Sequence, residues 1–146
     1  MQVDFYHLTI TPVERALPGI AVKVVESGGR LLVVSGDATQ RARIDHSMWT
    51  WQAESFLPHA QAGTGDDAIQ PVLIGEAVEA ANGARFVALI DGIWREEALT
   101  FDRAFHFFDA DRIVEARTAW KALADRDGLD RRYFKQDENG RWGQAA

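Results

Sequence analysis

Short apolar runs alternate along the chain with longer segments whose apolar residues recur at helical spacing. A strand that is covered on both faces carries apolar side chains at consecutive positions, so these runs are typical of buried strands. The pattern predicts five such strands, at residues 3–8, 30–35, 71–75, 84–90 and 103–108.

The first helix is predicted between the first two strands, over residues 11–29. Thr11 is expected as the N-cap and Pro12 at the first helical position. Pro18 either kinks this helix or marks a new start, because proline removes a helical hydrogen bond and clashes with the preceding turn. Gly28 and Gly29 are expected to end it.

Two further helices are predicted in the middle of the chain. Asp37 and Gln40 have the spacing of a capping box, which indicates a helix from Ala38 to about Trp49. A short helix is predicted at residues 76–83, closed by Asn82-Gly83.

The last helix has the clearest pattern, within residues 109–128. It is expected to be capped near Asp109 or Asp111 and to stop at Gly128. Beyond it, Asn139-Gly140 lies between two short runs, which is typical of a hairpin, so a C-terminal hairpin or tail is predicted at about residues 133–146.

Strands that alternate with helices predict a mostly parallel sheet with helices on both faces. The expected fold is a three-layer α/β/α sandwich, Rossmann-like, in one domain over residues 1–146, because no repeat or long linker divides the chain.

Composition favours a soluble protein with a sizeable core, since 47% of the residues are hydrophobic and 26% are charged. Without cysteine, a basic apolar leader or a membrane-length apolar run, the chain is expected to act in the cytoplasm and away from membranes. The net charge is −6, yet residues 112–135 hold seven Arg/Lys against four Asp/Glu, a local charge of +3. The C-terminal quarter is therefore a basic patch on an acidic body.

The motifs of nucleotide and metal enzymes are missing from the sequence. No glycine follows the first strand where a phosphate loop would need one, and Ser35 and Ser55 lack the glycines of a nucleophile elbow. We therefore expect no catalytic residue, metal or cofactor, and a protein that is not an enzyme by itself.

The histidines are also interpreted as structural. His7 and His106 lie in predicted strands and are expected to be half-buried and hydrogen-bonded. His46 is expected in solvent on a helix face, and a structural role in a loop is favoured over catalysis for His59.

The last helix carries two cations beside an apolar stripe. On a helical wheel Ala116, Trp120 and Leu123 form an apolar stripe with Ile113, within about 80° of it. Arg117 and Lys121, four residues apart, lie along the other margin. Such a groove suits a peptide that ends in an apolar side chain and a carboxylate. An ordinary amphipathic helix with both cations in water fits the pattern as well.

Several stretches resemble, in the same order, the chi subunit family of bacterial DNA polymerase III. They are "VDFYHL", "MW" followed by "ESFLPH", "ARTAWKAL" and "DENGRW", and the similarity runs from Val3 to about Trp142. The resemblance implies a noncatalytic accessory subunit of the replicase clamp-loader assembly that functions in DNA replication.

By resemblance, the partner is the acidic C-terminal tail of single-stranded-DNA-binding protein, which ends in phenylalanine. The psi subunit is a possible second partner, and through it the clamp loader, so contact with DNA is expected to be mostly indirect. Carried over by position, the tail pocket has two walls. Six residues are expected to form them: Trp49 and Phe56 on one, and Phe108, Arg117, Trp120 and Lys121 on the other.

One departure from the family concerns the loop after the "PH" pair, where Ala60 stands in place of a glycine. Two rival functions stay open. One is a small nucleotide-binding hydrolase or transferase, which the missing glycines disfavour. The other is direct single-stranded DNA binding through Trp49, Trp51 and Trp120, which the net acidity disfavours.

Overall fold

A computed structural model describes residues 1–51 and 57–146 of the chain. Within these residues three α-helices are present: α1 (Val13–Glu26), α2 (Ala38–Thr50) and α3 (Ile113–Ala122). The strands in the same residues are β1 (Gln2–His7), β2 (Leu31–Val34), β3 (His59–Gln61), β4 (Val72–Gly75), β5 (Phe86–Leu89), β6 (Arg103–Phe108), β7 (Asp130–Gln136) and β8 (Trp142–Gln144). They form one sheet in the order β3-β4-β2-β5-β6-β1-β7-β8.

The sheet is mostly parallel, as predicted. Every neighbouring pair from β3 to β7 is parallel, and the pair β7–β8 is antiparallel. The C-terminal hairpin, whose place the sequence left open, therefore forms one edge of the sheet.

The two faces of the sheet carry separate apolar cores. In β2, Leu31 and Val33 belong to one core and Leu32 and Val34 to the other, because successive side chains of a strand point to opposite faces. Residues of α1 and α2 pack in the first core, and residues of α3 pack in the second. The result is the predicted α/β/α sandwich, with α2 and α3 on opposite faces.

The starts of the first two helices differ in detail from the prediction. Pro12, not Thr11, is the N-cap of α1, and it provides no side-chain cap. The hydroxyl of Thr11 instead accepts a hydrogen bond from Gln136, at 2.8 Å. One helix includes Pro18, so the proposed second start there is wrong.

Only half of the capping box at α2 forms. The Asp37 carboxylate accepts a hydrogen bond from the Thr39 amide at 2.9 Å. Gln40 does not accept from the Asp37 amide, because that amide donates to the Ser35 hydroxyl at 3.1 Å and the Gln40 side-chain oxygen accepts from the same hydroxyl. The Gln40 side-chain amide donates to the carbonyl of Ile90 at 2.9 Å. Gln40 thus links the start of α2 to the end of β5.

In the middle of the chain, one strand was missed and one predicted helix is wrong. Strand β3 was not predicted, and residues 76–83 form turns instead of a helix. Eight residues are too few for a stable isolated helix. The buried side chain of Asn82 instead donates hydrogen bonds to the carbonyls of Leu31 and Gln70, at 3.3 and 2.9 Å.

A charged cluster joins the three strands around β1. Asp4 is fully buried and accepts hydrogen bonds from Arg103 on β6 and Arg132 on β7. Burial by itself raises the pKa of Asp4, but hydrogen bonds from Arg132, Gln2 and Arg103 outweigh it and hold the pKa below its usual value. The carboxylate therefore stays ionised and holds the three strands together.

Candidate functional site

The predicted receptor helix begins in two steps. Asp109 accepts a hydrogen bond from the Asp111 amide at 3.0 Å and so caps a short 3₁₀ turn, Ala110–Arg112. Helix α3 follows and ends at Ala122, earlier than predicted, while Gly128 lies in the turn beyond it at φ 73°. This start aligns the apolar stripe of α3 with the sheet.

The buried side of α3 is formed by small residues and one leucine. Ala116 is 0% exposed, Ala119 8% and Leu123 1%. Arg117 and Lys121 lie on the exposed side, as the helical wheel predicts. Trp120 is half-buried at the boundary between the two.

Trp120 is fixed by contacts from β1 and β7. Its ring meets Phe5 and Tyr133 edge to face, with centroids 5.3 and 5.6 Å apart. The guanidinium of Arg131 lies 3.9 Å from the centroid of the same ring and donates a hydrogen bond to the carbonyl of Trp120. These contacts tie α3 to β7 and leave the tryptophan half-buried between them.

We call the surface between α3 and β7 the α3–β7 groove. Arg131 and Tyr133 contact Trp120, and Lys135 shares their side of β7 because side chains alternate along a strand. The groove thus combines two aromatic rings with four cations and no carboxylate. Its six residues are Arg117, Trp120 and Lys121 from α3, and Arg131, Tyr133 and Lys135 from β7.

The pKa shifts of His7 and Tyr133 reflect the nearby positive charges of the groove. The pKa of His7 is lowered, first by burial and then by the charges of Lys135 and Arg117, while the charge of Asp109 opposes this shift. Burial raises the pKa of Tyr133, and Arg117 opposes that rise. Cations from α3 and β7 therefore act on the same small volume above β1.

Phe108 lies beneath the groove. It is 2% exposed, and its ring centroid is 5.1 Å from that of His7 and 5.9 Å from that of Tyr133. The structure thus brings together four of the predicted site residues, namely Phe108, Arg117, Trp120 and Lys121. Phe108 supports the floor and offers almost no surface of its own.

The structure does not bring Trp49 to this groove. Trp49 follows the buried Met48 on α2, which packs on the opposite face of the sheet, and its ring lies 4.7 Å from that of His59 on β3. Strand β3 is five places from β1 in the sheet, a distance of about 24 Å at the usual strand spacing. The expectation of one pocket with Trp49 opposite α3 is corrected on this ground. A contact of Trp49 with a partner at its own face of the sheet, away from the groove, stays a prediction.

The other residue expected on that wall, Phe56, lies outside the described residues. Ala60, which stands where the family has glycine, lies in β3 and pairs with Leu73 of β4. Ala60 is therefore part of an edge strand of the sheet.

Three groove residues were missed from the sequence: Arg131, Tyr133 and Lys135. Their signal was the alternation in "DRRYFKQ", which places every second residue on one face of a strand. The local excess of positive charge was noticed in the sequence. The pattern alone could not tell that this strand lies beside α3.

His59 is held by structural contacts. Its Nδ1 lies 2.7 Å from the carbonyl of Leu57, and its Nε2 lies 3.1 Å from the carbonyl of Asp45. It therefore joins the middle of α2 to β3, as the structural interpretation predicts.

His106 differs from the prediction. It is fully buried instead of half-buried, and neither ring nitrogen has a hydrogen-bond partner among residues 1–51 and 57–146. Burial lowers its pKa to about 4. His106 is a neutral core residue among the rings of Phe5, Trp94 and Phe108.

Within residues 1–51 and 57–146, no group of three or more His, Cys, Asp or Glu side chains is arranged to hold a metal ion. In the same part of the chain, no helix has both the length and the apolar character needed to cross a membrane.

Comparison with known proteins gives consistent matches. A family model described as "DNA polymerase III chi subunit, HolC" matches residues 1–129. DNA polymerase III subunit chi of Escherichia coli (strain K12) is 38% identical over 65 residues, 44% of this chain and 44% of that protein. A probable DNA polymerase III subunit chi of Rickettsia prowazekii (strain Madrid E) is 22% identical over 89 residues, 61% of this chain and 54% of that protein. The chain thus spans about half the length of the curated relatives it matches.

Proposed function

Because the chain belongs to the DNA polymerase III chi subunit family, we propose that it is a noncatalytic accessory subunit of the replicase clamp-loader assembly. It links this assembly to single-stranded-DNA-binding protein by binding that protein's acidic C-terminal tail. The α3–β7 groove is the proposed binding site.

The observation that carries the proposal is the pairing of cations with aromatic rings in the groove. A tail that ends in phenylalanine presents a ring and a carboxylate on the same residue. The ring fits against Trp120 and Tyr133, and the exposed Arg117 is placed to form a forked hydrogen bond with the carboxylate. Lys121 and Lys135 are left to attract the acidic residues that precede the phenylalanine.

Charge explains how an acidic protein recruits an acidic tail. The net charge is −6, so the whole molecule repels the tail at long range. At short range the groove dominates, because screening at physiological salt confines electrostatic effects to about 8 Å. We expect salt to reduce the association rate mainly, while burial of the ring determines the lifetime of the complex.

The first rival function finds less support in the geometry. A nucleotide in this type of fold would lie at the carboxyl ends of the strands. The cavity there is lined by Glu14, Asp91, Asp109 and Asp111, whose charges oppose phosphate.

Direct binding of single-stranded DNA is disfavoured by the positions of the tryptophans. Successive bases need neighbouring ring faces along one track. Trp49 lies at α2 and Trp120 at α3, on opposite faces of the sheet.

Association with a psi subunit, and through it with the clamp loader in the cytoplasm, completes the proposal. No residue of this chain is assigned to that contact. DNA is reached through the partner protein.

The test is a titration with a labelled acidic peptide ending in phenylalanine, followed by fluorescence anisotropy. We expect saturable binding that weakens with salt. Arg117→Ala and Lys121→Ala should each weaken it by ~10-fold or more, because each removes a charged contact. Lys23→Ala is the matched control: it removes one exposed positive charge from α1, on the opposite face.

Two further comparisons locate the site. A peptide without its terminal phenylalanine, or with an amidated C-terminus, should bind at least ~10-fold more weakly. Trp49→Ala should bind as well as the unaltered protein, because Trp49 lies far from the groove. Equal binding of all the peptides would refute tail recognition, and a large loss in Trp49→Ala would refute the groove as its location.

A further inference from the structure

A separate crevice of about 460 Å³ opens at the carboxyl edge of the sheet. It lies where β1 leads into α1 on one face and β6 leads through the 3₁₀ turn into α3 on the other face. Ligands of open α/β sheets bind where the connections diverge in this way. We call it the switch-point crevice. It is lined by residues 8–14, 90–92, 107–109 and 111–112, together with Gln40.

One wall of the crevice is the loop of residues 9–11, whose backbone is fixed by hydrogen bonds to a buried side chain. The buried Gln136 accepts hydrogen bonds from the backbone amides of Thr9, Ile10 and Thr11, at 3.2, 3.2 and 3.1 Å. The loop therefore holds a fixed conformation, although it lies at the surface. It presents Ile10, which is 58% exposed, to solvent. A large apolar side chain on a preorganised loop is a ready contact for a partner.

The opposite wall is equally well packed. Gly92 has φ 76°, and a Cβ added there would lie 2.5 Å from Cγ of Arg112. Asp91 is fixed by two hydrogen bonds from Arg95, at 2.9 and 2.8 Å. The shape of the crevice is thus built into the fold and does not depend on loose surface side chains.

The charge of the crevice is opposite to that of the α3–β7 groove. Arg95 balances Asp91, but Glu14, Asp109 and Asp111 add three more carboxylates to the lining. In the described part of the chain, the only cation among the lining residues is Arg112, which also lies 3.8 Å from Glu115. The crevice therefore attracts cations and repels phosphates.

We propose that the switch-point crevice binds a cationic peptide segment of another protein, in which Lys or Arg alternates with apolar side chains. The carboxylates select the cationic residues, and Ile10 with the half-buried Leu8 provides the apolar contact. Potentials of opposite sign at two built surfaces are complementary to two different partners. The proposal goes beyond tail binding and does not depend on it.

The test is an NMR titration of the full-length, ¹⁵N-labelled protein. The probe is the acetylated and amidated peptide Ala-Lys-Leu-Arg-Leu-Lys-Ala. We expect saturable shifts in the amides of residues 8–11 and 109–112, and binding that weakens as salt rises. A peptide with Glu at each cationic position should not bind, and one with Ala at each leucine should bind several-fold more weakly.

Variants of the crevice make the test specific. The double variant Glu14→Gln/Asp111→Asn should weaken the peptide by ~10-fold or more, because it removes two charged contacts. Ile10→Ser should weaken it by ~3-fold, the effect of losing part of a buried apolar contact. The control double variant Asp66→Asn/Glu79→Gln makes the same charge change at exposed positions outside the crevice and should bind normally. Urea unfolding of each variant confirms that it is folded.

Four results would overturn the proposal. They are shifts confined to another surface, equal weakening by the control variant, shifts at the crevice on raising the protein concentration alone, and displacement of the peptide by millimolar Mg²⁺ but not by a sodium salt of equal ionic strength. The first two indicate unspecific attraction. The third assigns the crevice to a second copy of the chain, and the fourth to a metal ion.

Discussion

Replacing His106 with leucine should make the protein more stable in acid. In the folded state burial lowers the pKa of this histidine from 6.5 to about 4. Well above pH 6.5 the ring is neutral in both the folded and the unfolded state, so its titration does not change the free energy of unfolding. Between these two pKa values the unfolded chain binds a proton that the folded protein does not, so stability falls as the pH is lowered.

The size of this effect follows from the difference in pKa. A shift of one unit corresponds to about 1.4 kcal/mol, so the full penalty below pH 4 is roughly 3 kcal/mol. Leucine has nearly the volume of histidine and does not titrate. It also removes two ring nitrogens that have no hydrogen-bond partner, which should add about 1 kcal/mol of stability at neutral pH.

The assay is urea unfolding of the protein and of His106→Leu at several pH values between 4 and 7.5, followed by circular dichroism. The difference between the two free energies of unfolding should grow by roughly 3 kcal/mol from neutral pH to pH 4, with equal denaturant slopes. His46→Gln, at an exposed position of α2, controls for the loss of a histidine. Parallel pH profiles for the protein and His106→Leu would refute the assignment of a buried neutral ring.

Two more predictions concern the core of the sheet and the wall of the crevice. Asp4→Ala should lower the free energy of unfolding in urea by roughly 2–3 kcal/mol, since it leaves two guanidiniums, each about one third exposed, without their carboxylate. Asp102→Ala, which breaks a fully exposed ion pair, should barely change the midpoint, and an equal loss in both variants would contradict the argument. Gly92→Ala should lower the thermal midpoint more than Gly83→Ala does, because both glycines have positive φ but only the Cβ at residue 92 meets a neighbour. An equal fall of the thermal midpoint in the two variants would show that the positive φ alone causes the loss, without a contribution from the contact with Arg112.

Much of the fold could be predicted from local patterns. The strand over residues 103–108 was predicted with its observed ends, because three of its six residues are phenylalanines, which have a strong β preference. The hairpin at Asn139-Gly140 was also correct. Strand β3 was not predicted because it has three residues and only one of them is buried. Its pairing with β4 therefore leaves almost no pattern in the sequence.

The candidate site was predicted only in part. Arg117, Trp120 and Lys121 share one helix, so their relative positions follow from helical geometry alone. The expectation for Trp49 depended on which face of the sheet each helix covers, and hydrophobic periodicity does not carry that information. The β7 half of the groove depended on strand order in the same way, because β7 lies beside β1 although residues 2–7 and 130–136 are distant in sequence.

The position of β1 between β6 and β7 has a consequence for the nascent chain. Strand β1 leaves the ribosome before both of its partners and can pair with them only after residues 103–108 and 130–136 have been synthesised. Until then its backbone edges and aromatic side chains have no native neighbour, and the segment must be kept from pairing with other chains. The sheet can therefore be completed only after β7 has been synthesised, however early α1 and α2 form.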